Sequence, residues 1–260
     1  MTDWRSDCKL GTQKNKMLLT FEQKPEQVPW TKEKFKAALY AQKSRYHDLH
    51  PFHQRMNQGL LTPEEIRLWA ANRFYYQKSI PLKDAAILSN CPDREIRREW
   101  IERIIDHDGR EGTEGGIEAW LRLGESVGID RVELLDERYV LPGVRYAVDA
   151  YVNFCRTKSW IIAIASSLTE LFGPGAIKTR LAALEQHYPW IDSAGFNYFR
   201  VRLKQAPRDA NYALNLVLAR CQTRSSQERA VEALMFKCDL LWSQLDAIER
   251  GETRPIKNIR

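Results

Sequence analysis

No part of this 260-residue chain approaches the roughly 20 consecutive apolar residues that a bilayer span requires. The longest apolar run, Trp160 to Ala165, passes directly into SSLTELF. The opening stretch MTDWRSDCKLGTQKNK lacks the apolar segment of a secretory signal. We therefore expect no membrane association and a cytoplasmic location. Cysteine is also scarce: the five residues Cys8, Cys91, Cys155, Cys221 and Cys238 are odd in number, scattered and never arranged as CxxC. A disulfide framework or a cysteine zinc site needs closer pairing, so they read as reduced, buried small residues. Strand-like alternation is missing at any useful length, and there is no internal repeat. The net charge of +6 comes from basic residues mixed among 34 acids, without a basic block. No nucleic-acid partner is expected, and an anionic small molecule suits the charge equally well.

What is present is helix. Hydrophobic residues make up 43% of the chain, ample for a packed core. Residues 1–28 are polar, with Lys9, Lys14, Lys16 and Lys24, and read as a mobile extension. After Pro29 the periodicity predicts helices over 31–45, 49–58, 63–90 with a bend at Pro81, 93–107, 114–127 and 130–136. It continues with 143–158, 159–172, 176–187, 189–206, 208–222 and 225–249. Thr62, Pro63 and Glu65 form a capping box with proline at the first helical position, and Asp93 is an N-cap after Pro92. The expected fold is an all-α bundle in one domain, residues 29–260, because no linker divides it.

Several helices carry polar residues on the face that should be driest. In NRFYYQKSIPLK, Trp69, Arg73, Tyr76, Gln77 and Ile80 fall in one stripe at 100° per residue. Trp100, Arg103, Ile104 and His107 share a face, as do Tyr198 and Arg202, and Lys237 interrupts the row Leu234, Leu241, Leu245, Ile248. A single long basic side chain in such a place usually buries its stem and reaches water. Four helices doing so together is different, because an uncompensated buried charge costs about 3–5 kcal/mol. The apolar segment Trp160 to Phe172 offers only one acid, Glu170, plus the hydroxyl of Thr169. An internal excess of cations awaiting an anionic ligand is the expectation.

His47, His50 and His53 cluster in YHDLHPFH, but Pro51 interrupts their helix and no ExxH set accompanies them, so no metal site is expected. The loop DHDGREGTEGGIEAW lacks GK[ST] and a preceding strand, which excludes a phosphate loop. Its glycines permit a tight turn after His107 and a possible lid over a pocket.

Taken together, YHDLHPFH, NRFYYQKSIPLKDAAI, RIIDHDG with GGIEAWLRLGE, LPGVRYAVDAYVNF, SSLTELF, HYPWI with FNYFRVRL, and FKCDLLW resemble the pyrroloquinoline quinone synthase family over about residues 30–248. The resemblance implies seven main helices, six around a central apolar one containing Trp160 to Phe172, in a heme oxygenase-like bundle that is usually a homodimer. It implies ring closure and oxidation of a reduced, polycarboxylate quinone precursor, with O2 as co-substrate, hydrogen peroxide released and no cofactor. The implied substrate-binding residues are Tyr46, His47, Arg73, Gln77, Lys83, Arg103, Tyr151, Thr169, Glu170 and Arg180. The implied catalytic residues are His107 as general base, Tyr198 as proton donor or relay, and Arg202 and Lys237 as stabilisers of negative charge.

One departure lies in LFGPGAIKTRL, where Ile177 stands at a position the family gives to histidine. A binding protein that holds the quinone or its precursor without turnover is therefore the alternative expectation. A helical metalloprotein or heme-degrading enzyme of similar shape is a third.

Overall fold

The computed structural model describes residues 27–251. The expected extension, apart from its last two positions, lies outside the described residues. Twelve α-helices follow one another: α1 Lys32–Tyr40, α2 Pro51–Asn57, α3 Pro63–Asn90, α4 Arg94–Trp100, α5 Glu102–Asp108 and α6 Gly116–Ser126. Then come α7 Arg131–Leu135, α8 Pro142–Thr157, α9 Trp160–Ser166, α10 Gly173–His187, α11 Asn197–Arg220 and α12 Arg224–Arg250. Among the described residues there is no strand, only an isolated bridge between Arg110 and Thr113.

The helix starts follow local chemistry. Thr62 accepts from the Glu65 amide while the Glu65 carboxylate accepts from the Thr62 amide, which satisfies donors that the first turn leaves unpaired. Asp93 caps α4 through the amides of Glu95 and Ile96. The remaining boundaries differ from expectation for identifiable reasons. Helix α3 is unbroken through Pro81, and α11 runs through Pro207, where two separate helices were expected. Each proline removes one amide donor but leaves the rest of the ladder, and packing on both sides holds the helix together. Pro174 serves as a helix starter in the first turn of α10, which therefore begins at Gly173, three residues early. The segment expected as one helix over 93–107 divides at Ile101 into α4 and α5.

The axis of the bundle is α9, continued by a 3-10 turn over Ser167–Leu171. Ala163, Ile164, Ala165, Ser166 and Leu168 are all fully buried. Around this small-residue strip pack α3, α8, α11 and α12, the long helices whose buried stripes include Trp69, Phe74, Val148, Phe199, Leu234 and Leu241. The expected central apolar element is thus present, with its second half wound more tightly than an α-helix. The helix count exceeds seven because α1, α2, α4, α5 and α7 are short pieces.

The glycine loop after α5 is a tight turn closed by two backbone hydrogen bonds between Arg110 and Thr113, of 3.1 and 2.9 Å. Gly109 and Gly112 hold positive φ of 83° and 78°. Gly115 has a different reason to be glycine. A Cβ there would lie 2.2 Å from the His107 carbonyl oxygen and 2.4 Å from the Gly109 amide nitrogen. The loop therefore packs directly on the backbone that carries His107. We predict that Gly115→Ala costs about 1–3 kcal/mol, as overpacking against backbone does. Gly175→Ala, where an added Cβ meets nothing within 4 Å, should melt at the same temperature or higher. Equal melting temperatures for the two variants would refute the close-approach argument.

Candidate active site

Helix α3 presents Arg73, Tyr76, Gln77 and Ile80 to an internal cavity, and the other walls come from α5, α6, α10, α11, α12 and the turn after α9. Four of the five residues in the stripe expected on α3 thus form a cavity wall, and the fifth, Trp69, is buried in the core. The space amounts to about 640 Å³, part of it open to solvent. Tyr46, His47, His107, Trp120, Thr169, Glu170, Ile177, Arg180, Tyr198, Phe199 and Arg202 complete most of the lining. Ten of the fourteen expected site residues therefore meet here: Tyr46, His47, Arg73, Gln77, His107, Thr169, Glu170, Arg180, Tyr198 and Arg202. The other four, Lys83, Arg103, Tyr151 and Lys237, stand behind the wall. They are fully buried but do not line the cavity.

The expectation of uncompensated cations needs correction at two positions. Arg103 and Arg202 are paired by the protein's own acids. Glu170 accepts from Arg103 Nη2 at 3.1 Å and from Arg202 Nη2 at 2.9 Å. Asp209 lies 3.1 Å from Arg103 Nη1 and 3.3 Å from Arg202 Nη1. Lys83 is likewise held by Asp84, which also accepts from the Trp100 indole at 2.9 Å. Burial opposes the Glu170 carboxylate, yet the charges of Arg202, Arg103 and Lys83 outweigh it and bring its pKa down to about 2.

The basic groups without a carboxylate are instead Arg73, Arg180 and Lys237, which form no ion pair among the described residues. The Arg73 guanidinium lies 4.0 Å over the Tyr76 ring. Arg180 approaches His53 Nδ1 at 3.0 Å, and its Nε has no partner. Burial lowers the Arg180 pKa to about 10. Lys237 is 1% exposed, with Nζ unpartnered and stacked 3.4 Å from the Tyr151 ring centre and 4.2 Å from that of Tyr76. Burial, then Arg73 and Lys83, depress its pKa strongly, which favours the neutral amine.

His107 has a defined tautomer. Its Nδ1 is 2.8 Å from the Arg103 carbonyl oxygen, which can only accept, so Nδ1 carries the proton and Nε2 keeps a lone pair. That Nε2 is buried without a partner. Burial and then the Arg202 charge push its pKa down to about 4, so the ring is neutral at pH 7 and well below the range expected of a neutral-pH base. On α11 the Tyr198 hydroxyl donates to Gln77 Oε1 at 2.9 Å. Burial pushes both the Tyr198 and Tyr46 phenols up, so they remain proton donors.

The three clustered histidines part company. His50 turns to Asp246 and Trp242, whereas the His47 and His53 rings sit 4.8 Å apart beside Arg180. His53 Nδ1 faces the His47 carbonyl at 2.8 Å as well as Arg180, and it can donate to the first or accept from the second, but not both. Among the described residues no three His, Cys, Asp or Glu side chains converge as metal ligands. Sequence reasoning missed Asp84, Asp209 and His53, which hold Lys83, Arg103, Arg202 and Arg180.

Two pH effects follow. Burial keeps His47, His53 and His107 neutral in the fold, with pKa values below 6.5. Below pH 6.5 the unfolded chain binds more protons than the native one, so stability falls on acidification, by up to about 1.4 kcal/mol per pH unit for each histidine. For His107 the loss ends near pH 4, where the native ring also protonates. Urea unfolding at pH 7 and pH 5 should show this, with a shallower dependence for His107→Gln. A polyanionic ligand should raise these pKa values, so its binding takes up protons and tightens as pH falls from 8 to 6. Calorimetry in two buffers of different ionisation heat measures the uptake; zero uptake or release contradicts it.

Comparisons with known proteins agree with this architecture. A family model described as TENA/THI-4/PQQC matches residues 36–247. A pyrroloquinoline-quinone synthase of Ectopseudomonas mendocina is 60% identical over 222 residues, covering 85% of this chain and 89% of that protein. One of Cronobacter sakazakii is 56% identical over 228 residues, covering 88% and 91%. Among solved structures, a heme oxygenase-like domain from Shewanella denitrificans superposes with TM-score 0.71 at 15% identity, covering 85% of this chain and 93% of that one. A TenA homologue from P. horikoshii gives 0.67 at 14%, covering 84% and 98%. These two share the fold alone. Over most of its length, and with pyrroloquinoline-quinone synthases as its relatives, the chain belongs to the TENA/THI-4/PQQC family.

Proposed function

We propose that this chain is a pyrroloquinoline-quinone synthase: it closes the last ring of a reduced, carboxylate-bearing quinoline precursor and oxidises it to the quinone, with O2 as acceptor and hydrogen peroxide released. The observation that carries the reading is that cations without carboxylate partners and an unpartnered base line the same cavity. Arg73 and Arg180, beside Tyr46 and His47, lack carboxylate partners, while His107 Nε2 stands as an unpartnered lone pair in the same space. The first group suits ligand carboxylates, the second suits a proton on the precursor.

On this reading the precursor's carboxylates pair with Arg73 and Arg180 in forked hydrogen bonds, and Gln77 and Thr169 orient the ring. His107 Nε2 takes a proton during ring closure and oxidation. Burial first and the Arg202 charge second hold its pKa at about 4, and the negative charge of ligand carboxylates raises it toward working pH. Tyr198 supplies or relays a proton through its hydroxyl. Arg202, paired but at the cavity surface, stabilises negative charge as electrons pass to O2. Lys237 acts from behind Tyr76, and Lys83, Arg103 and Tyr151 support the wall instead of touching ligand. The reading needs no metal or organic cofactor and takes the protein as a cytoplasmic homodimer; elemental analysis of active protein and light scattering test those two parts.

A second reading has its own support. Ile177 lines the cavity where the family is expected to place a histidine, which favours a protein that binds the quinone or its precursor without turnover. Anaerobic mixing with the precursor, then admission of oxygen, separates the two. Synthase activity gives quinone absorbance with peroxide, whereas a carrier gives only a bound spectrum.

His107→Ala should leave ligand affinity within a few-fold while slowing oxidation by about 10²–10⁴-fold, the usual contribution of a general base. Parallel losses in both would remove it from that role. Arg73→Ala should weaken binding by about 10-fold or more, since a charged hydrogen bond contributes ~1.5–3 kcal/mol. Unchanged affinity would take Arg73 out of the binding set.

A further inference from the structure

We propose that Asp209, which does not touch the cavity, is the positioning residue for Arg202 and through it for the oxidation step, an assignment that rests on the synthase reading above. Asp209 lies on α11 seven residues after Arg202, close to two full turns, and so on the same helix face. It is 4% exposed. Its Oδ2 faces both Arg202 Nη1 at 3.3 Å and Arg103 Nη1 at 3.1 Å. Its Oδ1 accepts from Arg208 Nε at 3.1 Å and Nη2 at 2.7 Å. Arg208 also pairs with Asp106, the residue preceding His107 on α5. One carboxylate thus ties Arg202 to the helix that carries the proposed base.

The Arg202 guanidinium is stretched between two carboxylates on opposite sides. Nη2 donates to Glu170, which lines the cavity, and Nη1 donates to Asp209, which lies behind it. Gln205 accepts from the same Nη1 at the same 3.3 Å, but its amide oxygen carries no charge and so holds a guanidinium less strongly than Asp209 does. Two charged anchors fix the plane of the fork; one anchor leaves it free to rotate. The anchor inside the cavity is the one an incoming ligand carboxylate competes with. Asp209 is therefore what prevents Arg202 from turning out to pair with the ligand. Asp84 cannot substitute, because it meets Lys83, Trp100 and Arg103 but not Arg202.

Charge sharpens the consequence. Arg103 and Arg202 against Glu170 and Asp209 form a balanced set of two cations and two anions. Neutralising Asp209 leaves one positive charge in excess beside the cavity, which attracts a polycarboxylate more strongly while loosening the group that should stabilise charge on oxygen. Asp209→Asn should therefore split affinity from rate in opposite directions. A purely structural defect would reduce both together.

The experiment measures turnover of the precursor with oxygen, and affinity for pyrroloquinoline quinone from its bound absorbance, on full-length wild type, Asp209→Asn and Asp209→Glu, with helicity checked by circular dichroism. Asp209→Asn is expected to lose 10-fold or more in turnover while binding the quinone equally or up to about 10-fold more tightly. Asp209→Glu, which keeps the charge, is expected to recover part of the turnover. Unchanged turnover, a parallel fall of both quantities, or Asp209→Glu no faster than Asp209→Asn overturns the assignment. Should Asp209→Asn fail to fold, Asp209→Glu against wild type decides: lower turnover with undiminished affinity supports it, and any other result overturns it. Wild type that binds but never oxidises would sink the synthase reading instead. A crystal structure of the quinone-bound Asp209 variant then decides the positioning claim by itself, since Arg202 turned toward the ligand supports it and Arg202 unmoved overturns it.

Discussion

The cost of holding charge away from water governs this molecule. Among the described residues Glu170 is the only carboxylate on the cavity wall, and it is placed between two guanidinium groups at 3.1 and 2.9 Å. Removing any one member of such a group leaves an uncompensated buried charge, which costs about 3–5 kcal/mol. The fold is accordingly constrained where α5, α11 and the turn after α9 meet. The α9 strip of small residues lets α11 and α12 pack close to the axis. The tight winding of Ser167–Leu171 then brings Thr169 and Glu170 to the cavity.

Neutralisation of some basic groups defines which ones remain. With Arg103, Arg202 and Lys83 matched to Glu170, Asp209 and Asp84, the basic groups left without a carboxylate among the described residues are Arg73, Arg180 and Lys237. Arg73 spreads its charge over the Tyr76 ring, Arg180 meets a histidine nitrogen, and Lys237 is held between two tyrosine faces. Each is a weak substitute for a carboxylate. Aromatic faces can hold a cation without claiming its hydrogen bonds, so these groups remain available to a guest with carboxylates of its own.

Much of this was legible in the chain because burial imposes periodicity. The stripe Trp69, Arg73, Tyr76, Gln77, Ile80 and the Tyr198–Arg202 pair follow from helix geometry alone, and both are found on cavity walls or in the adjacent core. Prolines misled where they were read as stops. Pro207 lies inside α11, whose surroundings hold the helix despite one lost donor. The two missed acids had a signal that went unread. Asp209 follows Arg202 by seven residues, and Asp84 follows Gln77 by seven, so each lies on the face already singled out. Their neighbours concealed them, because LKDAA and PRDAN look like ordinary solvated charge. Which acid reaches which arginine depends on how helices distant in sequence are brought together, and no single-helix pattern contains that.

Lys237 shows how position changes a role carried by resemblance. A stabiliser of charge on oxygen is most effective in direct contact with it, yet this lysine lies one aromatic ring behind the wall and its burial favours the neutral form. A neutral amine in an apolar row is tolerable in the empty protein, whereas a permanent charge there would destabilise it. When carboxylates enter beside Arg73, the repulsion from that arginine is offset, and protonation of Lys237 becomes less costly. On the proposed reading the substrate thereby brings about the charge that its own oxidation then uses, and the free protein avoids keeping an uncompensated ammonium in its core. For His107 burial comes first and the Arg202 charge second, so the negative charge that a ligand brings raises its basicity in part, without relieving the burial.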